Sequence, residues 1–481
     1  MKKRSKKGTG SSVGLASVST EGTRNGLPKK AAWWAAVLGG IAGAAAYDPL
    51  ALRWLIALAP LGCFLAIRWA PNPRGAFWRA LVFGWVFYFG ALHWLLWTAR
   101  YNFFAPVGII LLALYLGLYP ALIGYGLRRW LWPAHPALQF AAFACLWLLG
   151  EWARTLGRLS LPLGQLGHAW AVWPVAIQVA QWLGELGVSL EILWLAGLIF
   201  FWAHWWRGNA VRPVPFRRIG WILPVPILCL LGWFLVSWGV LKHWDRQLRM
   251  ALQDPQGALQ VALLQPNVEQ GFKLDSYNPY IDENVRKDLA GQITALQENM
   301  LARQSNPGWD LVVLPETAFT EENFAHNETL KARIAQIARR SGVNLFFGAD
   351  HRVGETEFYN SAYYVHRDGT LDKNVYDKMR LVPFGENLPY FDMIPGLESN
   401  IVGIMPFSEG KNQTLFEIEK KGKTFRFGAL ICFESTFSWM ARALAARGAD
   451  FLVVITNDAW YGMSAGAANH HHVSLLRAVE T

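Results

Sequence analysis

Charge is scarce in this chain. Asp, Glu, Lys and Arg make up only 16% of its 481 residues, well below the roughly 25% of a soluble domain, so two ordinary water-soluble domains are excluded. Acids are scarcer than bases, 34 against 45, which leaves a formal charge of +11. Cysteine is almost missing: four in 54.1 kDa cannot staple a disulfide scaffold. Low charge and abundant apolar surface also exclude a disordered chain. What fills the space is apolar, with 53% hydrophobic residues, a mean hydropathy of +0.19 and 26 Trp. Indoles gather where an apolar ring meets a wet edge, at a membrane surface. The chain reads as largely a membrane protein.

The basic excess decides between nucleic acid and topology by its position. Residues 1–30 hold Lys2, Lys3, Arg4, Lys6, Lys7, Arg24, Lys29 and Lys30 among Gly, Ser and Thr, and read as a disordered basic tail with no cleaved signal. Residues 31–241 form a series of apolar runs near the ~20 residues that span a bilayer: Ala31–Tyr47, Trp54–Ala70, Phe77–Thr98, Phe104–Leu127, Ala137–Trp152, Val188–Trp206 and Ile219–Leu241. Val172–Leu183 is apolar but too brief to cross, and reads as interfacial or re-entrant. With seven spans, Arg68, Arg74, Arg79, Arg128, Arg129, Arg207, Arg212, Arg217 and Arg218 share the side of the tail, whereas only Arg53, Arg100, Arg154 and Arg158 fall opposite. By the positive-inside rule the tail is cytoplasmic and everything after Leu241 lies outside, in the periplasm of a bacterium-like cell. The charge is a topology signal, and no nucleic-acid partner is expected.

Residues 242–481 change character. Short β-branched runs alternate with helical patterns: Leu259–Leu264, helix Ile281–Arg303, Leu311–Leu314, helix Glu328–Ser341, Val343–Phe347, Ser361–His366, Thr424–Cys432, helix Phe437–Arg447 and Phe451–Thr456. That is an α/β layered domain. Gln265-Pro266-Asn267, Pro315-Glu316 and Cys432-Phe433-Glu434 each follow a strand directly, and strand ends are where sites gather. Cys63, Cys145 and Cys229 lie in the apolar runs and read as small packing residues. Cys432 stands alone in the outer domain, either a buried strand-end residue or a reactive thiol. Two neighbourhoods favour the thiol over the bland alternatives of a turn carboxylate and a surface lysine: Glu316 in Leu-Pro-Glu-Thr-Ala-Phe, and Lys378 in Tyr-Asp-Lys-Met-Arg-Leu-Val-Pro-Phe-Gly-Glu, which ends at Glu386. A carboxylate can shuttle the proton of a thiol while an ammonium stabilises the oxyanion it creates.

These strings, with Ala-Leu-Ile-Cys-Phe-Glu-Ser and the following Ile-Thr-Asn-Asp-Ala-Trp-Tyr-Gly, resemble the Glu-Lys-Cys motifs of the carbon–nitrogen hydrolase (nitrilase) superfamily, specifically its membrane-bound acyltransferase branch. The likeness runs from about Ala31 to the end. It implies an α-helical multi-span membrane region followed by a nitrilase-like αββα sandwich. By motif, Glu316 is implied as general base, Lys378 as oxyanion stabiliser, Cys432 as nucleophile and Glu386 as a second acid near them. Phe433 and Glu434 stand where the family usually has Tyr-Glu, and Leu274 where it often has Trp. The implied reaction moves an acyl chain from a membrane phospholipid, through a cysteine thioester, to the α-amino group of the S-diacylglyceryl-cysteine that begins a lipoprotein. The implied setting is the inner membrane with the catalytic domain facing the periplasm, with no cofactor and no metal. A membrane-tethered amidase or nitrilase and a non-catalytic lipoprotein-binding protein are the alternatives.

Three expectations remain. Pro383–Gly410, apolar without clear period, reads as a hydrophobic arm dipping to the bilayer or, equally, as satellite core. His470, His471 and His472, successive on a helix, point around it and read as a polar patch near the site mouth rather than a metal site. The chain stops at Thr481 inside a helix-like run, where the family continues through further strands and a last span.

Overall fold

The computed structural model describes residues 29–211, 224–253, 257–278, 280–303, 308–320, 323–354, 357–387, 389–390 and 407–481. The tail through residue 28 and most of the Pro383–Gly410 arm lie outside them.

Every predicted apolar run holds a helix: α1 Lys29–Ala45, α2 Leu58–Arg68, α3 Pro73–Ala91, α4 Ala105–Trp130, α5 Pro136–Ala153, a single turn α6 Ala180–Leu183, α7 Glu185–Val211, and the long helix Pro224–Leu252. Three stretches, Ala105–Trp130, Glu185–His204 and Ile227–Leu252, are long and apolar enough to cross a bilayer; Pro73–Ala91 with His93–Arg100, bent by 56°, makes a fourth if the pair is one span. The helices α1 and α5, at 17 and 18 residues, reach only ~25–27 Å, and α2 about 16 Å, against a hydrocarbon core of ~30 Å.

The predicted borders shift in three places. Lys29 and Lys30 open α1 instead of closing the tail. The third run is not one straight helix, because side chains stop it: His93 Nδ1 bonds the Gly90 carbonyl at 2.7 Å and Trp94 Nε1 donates to the Ala91 carbonyl at 3.1 Å, taking oxygens the next turn would use. The border at Leu241 falls inside a helix that continues to Leu252, supported by the Asp245–Arg249 pair at 3.3 Å.

The helices alternate in direction. At one end Arg128 lies over the Trp132 ring at 3.2 Å, Arg68 Nη1 donates to Gln139 at 2.6 Å, and Arg79, inside α3 rather than in a loop, lies over Trp33 at 5.0 Å. At the other end sits the globular part. Cys63 packs inside the bundle; Cys145 and Cys229, expected to do the same, face outward.

Two sheets form the globular part. The first has order β1 Val261–Leu263, β2 Leu311–Val313, β3 Asn344–Val353, β4 Glu357–Val365, β5 Tyr376–Asp377; its first three strands are parallel and the rest antiparallel. The second has order β6 Leu415–Lys420, β7 Lys423–Ile431, β8 Phe451–Ile455, with β7 parallel to β8. Between them Phe346, Tyr364 and Tyr376 meet Phe416, Phe427 and Ile455. Helices Glu283–Arg303 and Glu328–Ser341 cover the outer face of the first sheet, with Leu301, Leu330 and Ile334 in its core. Helix Ser438–Ala446 covers the second. This is the expected αββα sandwich. Sequence patterning missed β5, β6 and helix Gln270–Tyr277, the first two because short amphipathic runs carry little periodic signal.

The core of the second sheet does not end there. Leu430, Phe433, Phe437, Met440 and Leu444 belong to one continuous apolar cluster with Phe64, Phe83, Phe87 and Trp147 of the bundle.

Candidate active site

Cys432 directly follows β7 with φ +53°, a left-handed backbone rare for a side-chain-bearing residue. It opens a short 3-10 turn, Cys432–Thr436, and is buried. Glu316 follows β2 on a loop that β3 approaches so closely that Gly348 has no room for a side chain: a Cβ there would lie 2.5 Å from Thr317 N. Lys378 follows β5, its N–H donating to the Asn360 carbonyl at 2.9 Å. Three separate strand ends therefore carry Glu316, Lys378 and Cys432 to one place.

The carboxylates hold the lysine. Lys378 Nζ donates to Glu316 Oε1 at 3.1 Å and to Glu386 Oε1 at 2.7 Å, and is only 1% exposed. Asn360 Nδ2 joins the two acids, donating to Glu316 Oε1 at 2.7 Å and Glu386 Oε1 at 3.4 Å. Glu316 Oε2 accepts from Asn457 N–H at 2.8 Å. Burial alone would raise Glu316; the Lys378 charge and the Asn360, Lys378 and Asn457 hydrogen bonds outweigh it and hold the carboxyl below its ordinary value. Burial would likewise neutralise Lys378, but Glu316 and Glu386 keep it charged well above the usual lysine value. Burial and the Glu316 charge push the Cys432 thiol well up, with Lys378 opposing. The resting set is thus carboxylate, ammonium and thiol.

Glu434 is a brace. Its Oε1 accepts from Met379 N–H at 2.6 Å and Arg380 N–H at 3.1 Å; its Oε2 accepts from Tyr376 OH at 2.7 Å and Ile431 N–H at 2.8 Å. One side chain so ties the Lys378 loop to the Cys432 turn. Burial pushes its carboxyl up to about 7, against those donors. Phe433 packs edge-on against Phe437 at 5.1 Å, within the core shared with the bundle. Asp377, the neighbour of Lys378 in sequence, meets His351 at 2.8 Å and Ser361 at 2.6 Å.

Several site residues were not singled out from sequence. Asn360, Asn457 and Lys273 are among them; Lys273 Nζ donates to Thr317 Oγ1 at 2.8 Å and the Glu316 carbonyl at 3.3 Å, and burial lowers it to about 8. The histidines do diverge, as expected: His472 reaches Asp48 at 3.2 Å. But His470 is buried in the site rather than placed at its mouth. Its Nδ1 meets Asp458 Oδ1 at 2.9 Å, and its Nε2 lies 3.0 Å from Ser435 Oγ and 3.1 Å from the Cys432 carbonyl. The signal was present in the Asn457-Asp458 string but nothing local paired it with a helix twelve residues on. Donor atoms of Cys432, Asp458 and His470 lie within 4.8 Å of one another, a metal-ligand combination; the Asp458 and His470 atoms an ion would need are turned on each other and on the Cys432 turn.

The site rests on the bundle. Trp94 meets Tyr461 edge-on at 4.6 Å, Tyr101 meets Trp460 at 5.5 Å, and Trp97 lies so close to Gly462 that a Cβ there would overlap its indole. The terminal helix, Gly466–Glu480, docks on α7 through Arg477 Nη2 and Glu185 Oε2 at 2.7 Å.

Comparison with known proteins agrees with this arrangement. Residues 260–481 match the carbon-nitrogen hydrolase family and residues 39–198 match the apolipoprotein N-acyltransferase N-terminal domain. The apolipoprotein N-acyltransferase of Geobacter metallireducens is 30% identical over 89% of this chain and 77% of its own length, and that of Brucella melitensis biotype 1 is 29% identical over 82% and 71%. An amidase from Nesterenkonia sp. shares 20% identity across 41% of this chain and 64% of its own, just under two thirds, with a TM-score of 0.29. The chain is a membrane protein, and it belongs to the apolipoprotein N-acyltransferase family.

Proposed function

We propose that this protein transfers an acyl chain from a membrane phospholipid to the α-amino group of a diacylglyceryl-lipoprotein, with Cys432 as nucleophile, Glu316 as base and Lys378 as oxyanion stabiliser. The observation that carries the reading is the convergence of these three, with Glu386, directly over a bundle of apolar helices. A site so placed meets two membrane-anchored substrates without either leaving the bilayer.

Glu316 Oε2, with one hydrogen bond among the described residues, keeps a lone pair for the thiol proton. The thiolate attacks the ester carbonyl, and the negative oxygen that forms is stabilised by Lys378 and a backbone N–H. Collapse breaks the ester C–O bond, and Glu316 returns its proton to the leaving lyso-phospholipid. The lipoprotein amine then attacks the thioester carbon, Glu316 takes the ammonium proton, collapse breaks the C–S bond, and Glu316 passes that proton to the departing thiolate to regenerate the thiol. Water must be kept out, since hydrolysis would waste the thioester.

In this reading the helices from Lys29 to Leu252 anchor and the sandwich from Val261 onward catalyses, and Glu386 and Glu434 hold Lys378 in place. The clustered Arg68, Arg128 and Arg129 end faces the cytoplasm of a bacterial inner membrane and the sandwich faces the periplasm. The test is direct. Full-length protein is incubated with acyl-labelled phospholipid, and Cys432 is examined by mass spectrometry for a hydroxylamine-labile acyl adduct that Cys432→Ala lacks. A folded preparation that forms no adduct sinks the transferase reading.

A further inference from the structure

The Cys432 backbone is strained and something must hold it. At φ +53° its Cβ crowds the following carbonyl, a conformation that residues other than glycine rarely adopt. The group against its carbonyl is His470 Nε2, at 3.1 Å, and the other ring nitrogen faces the Asp458 carboxylate at 2.9 Å.

Each ring nitrogen faces an acceptor, since a carboxylate and a carbonyl only accept. A neutral imidazole could donate Nδ1–H to Asp458 and accept at Nε2 from Ser435 Oγ, 3.0 Å away, but would then set its lone pair against the Cys432 carbonyl. The imidazolium donates to both oxygens, with Ser435 Oγ sharing the second proton. Burial opposes this cation; the Asp458 carboxylate, the Cys432 carbonyl and the Glu316 charge outweigh it and lift His470 above its ordinary value.

We propose that His470, held as an imidazolium by Asp458, is the positioning residue of the nucleophile turn: by gripping the Cys432 carbonyl it fixes the peptide plane whose opposite edge is the Phe433 N–H. The peptide is planar and trans, so anchoring its oxygen on one side aims its N–H to the other. That N–H, on the residue after the nucleophile, is the donor assigned here to the oxygen that becomes negative when the thioester forms. The inference rests on Cys432 being the nucleophile, and adds a residue that never touches substrate. The other ionisable groups bearing on this cluster are Glu316, Lys378 and Glu386 from the sandwich loops, Tyr461 and Cys432; Asp48 of the bundle meets His472 further along the same helix.

The experiment compares full-length wild type, His470→Ala, His470→Gln and Asp458→Asn in phospholipid vesicles carrying a labelled acyl chain. It reads single-turnover acylation of Cys432, the half-saturating phospholipid concentration, and the pH profile from 5.5 to 9, with thermal unfolding alongside. Wild type forming the adduct secures the reading beneath; its failure to do so is a failure of that reading alone. His470→Ala slows acylation at saturation by roughly 10–100-fold, because one oxyanion donor is worth about 10²–10³, while half-saturation stays put. Wild type loses rate as pH rises through the imidazolium's pKa; His470→Gln, whose amide N–H reaches the carbonyl at every pH, recovers most of the rate and lacks that fall. Asp458→Asn moves the fall to lower pH. Wild-type rates in His470→Ala, or a folded His470→Gln no faster than His470→Ala, or one retaining the fall, overturns the proposal.

Discussion

Replacing Glu434 with Gln changes one atom and asks whether the brace matters. Four donors reach its two oxygens. Gln keeps one oxygen, so its NH2 must face either Met379 N–H and Arg380 N–H or Tyr376 OH and Ile431 N–H. The second orientation is cheaper, because the Tyr376 hydroxyl can rotate to accept. One buried N–H, that of Ile431, is then left facing a donor. A buried unpartnered polar group costs about 1–3 kcal/mol, and loss of charge assistance adds to it. For a domain of this size each kcal/mol lowers the melting temperature by roughly 2–4 °C. The chemistry falls further than the stability. Ile431, the group left unpaired, adjoins Cys432, and a displacement of ~1 Å at a reacting group costs on the order of 10²-fold. The assay is the rate of Cys432 acylation beside thermal unfolding of Glu434→Gln. Wild-type melting together with a wild-type rate would falsify the brace.

Breaking the terminal-helix pair with Arg477→Ala strands a buried Glu185 and should cost about 3–5 kcal/mol, seen as a lower unfolding temperature of the whole chain. Gly462→Ala puts a Cβ into the Trp97 indole at a backbone conformation only glycine accepts readily, a cost of roughly 1–3 kcal/mol; a Trp97→Ala background should restore part of it in a double-mutant cycle. Lys273 gives a pH signature. Its folded-state value is lowered by burial from 10.5 to about 8, so between those values the unfolded chain binds the additional proton and stability rises with pH. Thermal unfolding from pH 7.5 to 10 should show the rise in wild type and lose it in Lys273→Met.

Much of this was legible in the residues. Helix Glu328–Ser341 begins at an Asn327 cap and ends at Gly342, and sequence bounds it exactly as found because both ends are set locally. Glu316, Lys378 and Cys432 were recoverable because each ends a strand in a recurring string. The 56° bend after α3 was not, since it depends on two side chains folding back onto carbonyls. His470 was misread because its role is set by contacts with Asp458 and the Cys432 turn, and a helical wheel shows only direction. Glu434 was placed beside the nucleophile, but three of its four donors come from Tyr376, Met379 and Arg380, more than fifty residues away in sequence, and the fourth from Ile431 at the end of β7.

The apolar cluster that runs unbroken from Phe64 and Phe87 to Phe437 and Leu444 bears on how a cell makes this protein. Most of that cluster lies between Ala36 and Phe200, and a smaller part, Leu430 to Leu444, follows more than two hundred residues later. Until that late part arrives, one end of the bundle is an open greasy seat; without the bundle, helix Ser438–Ala446 has no floor to lie on. Docking of the second sheet therefore waits on an assembled bundle. A water-soluble version of the sandwich, cut free by truncation, would carry Phe433, Phe437 and Met440 uncovered and would be expected to aggregate before it could react.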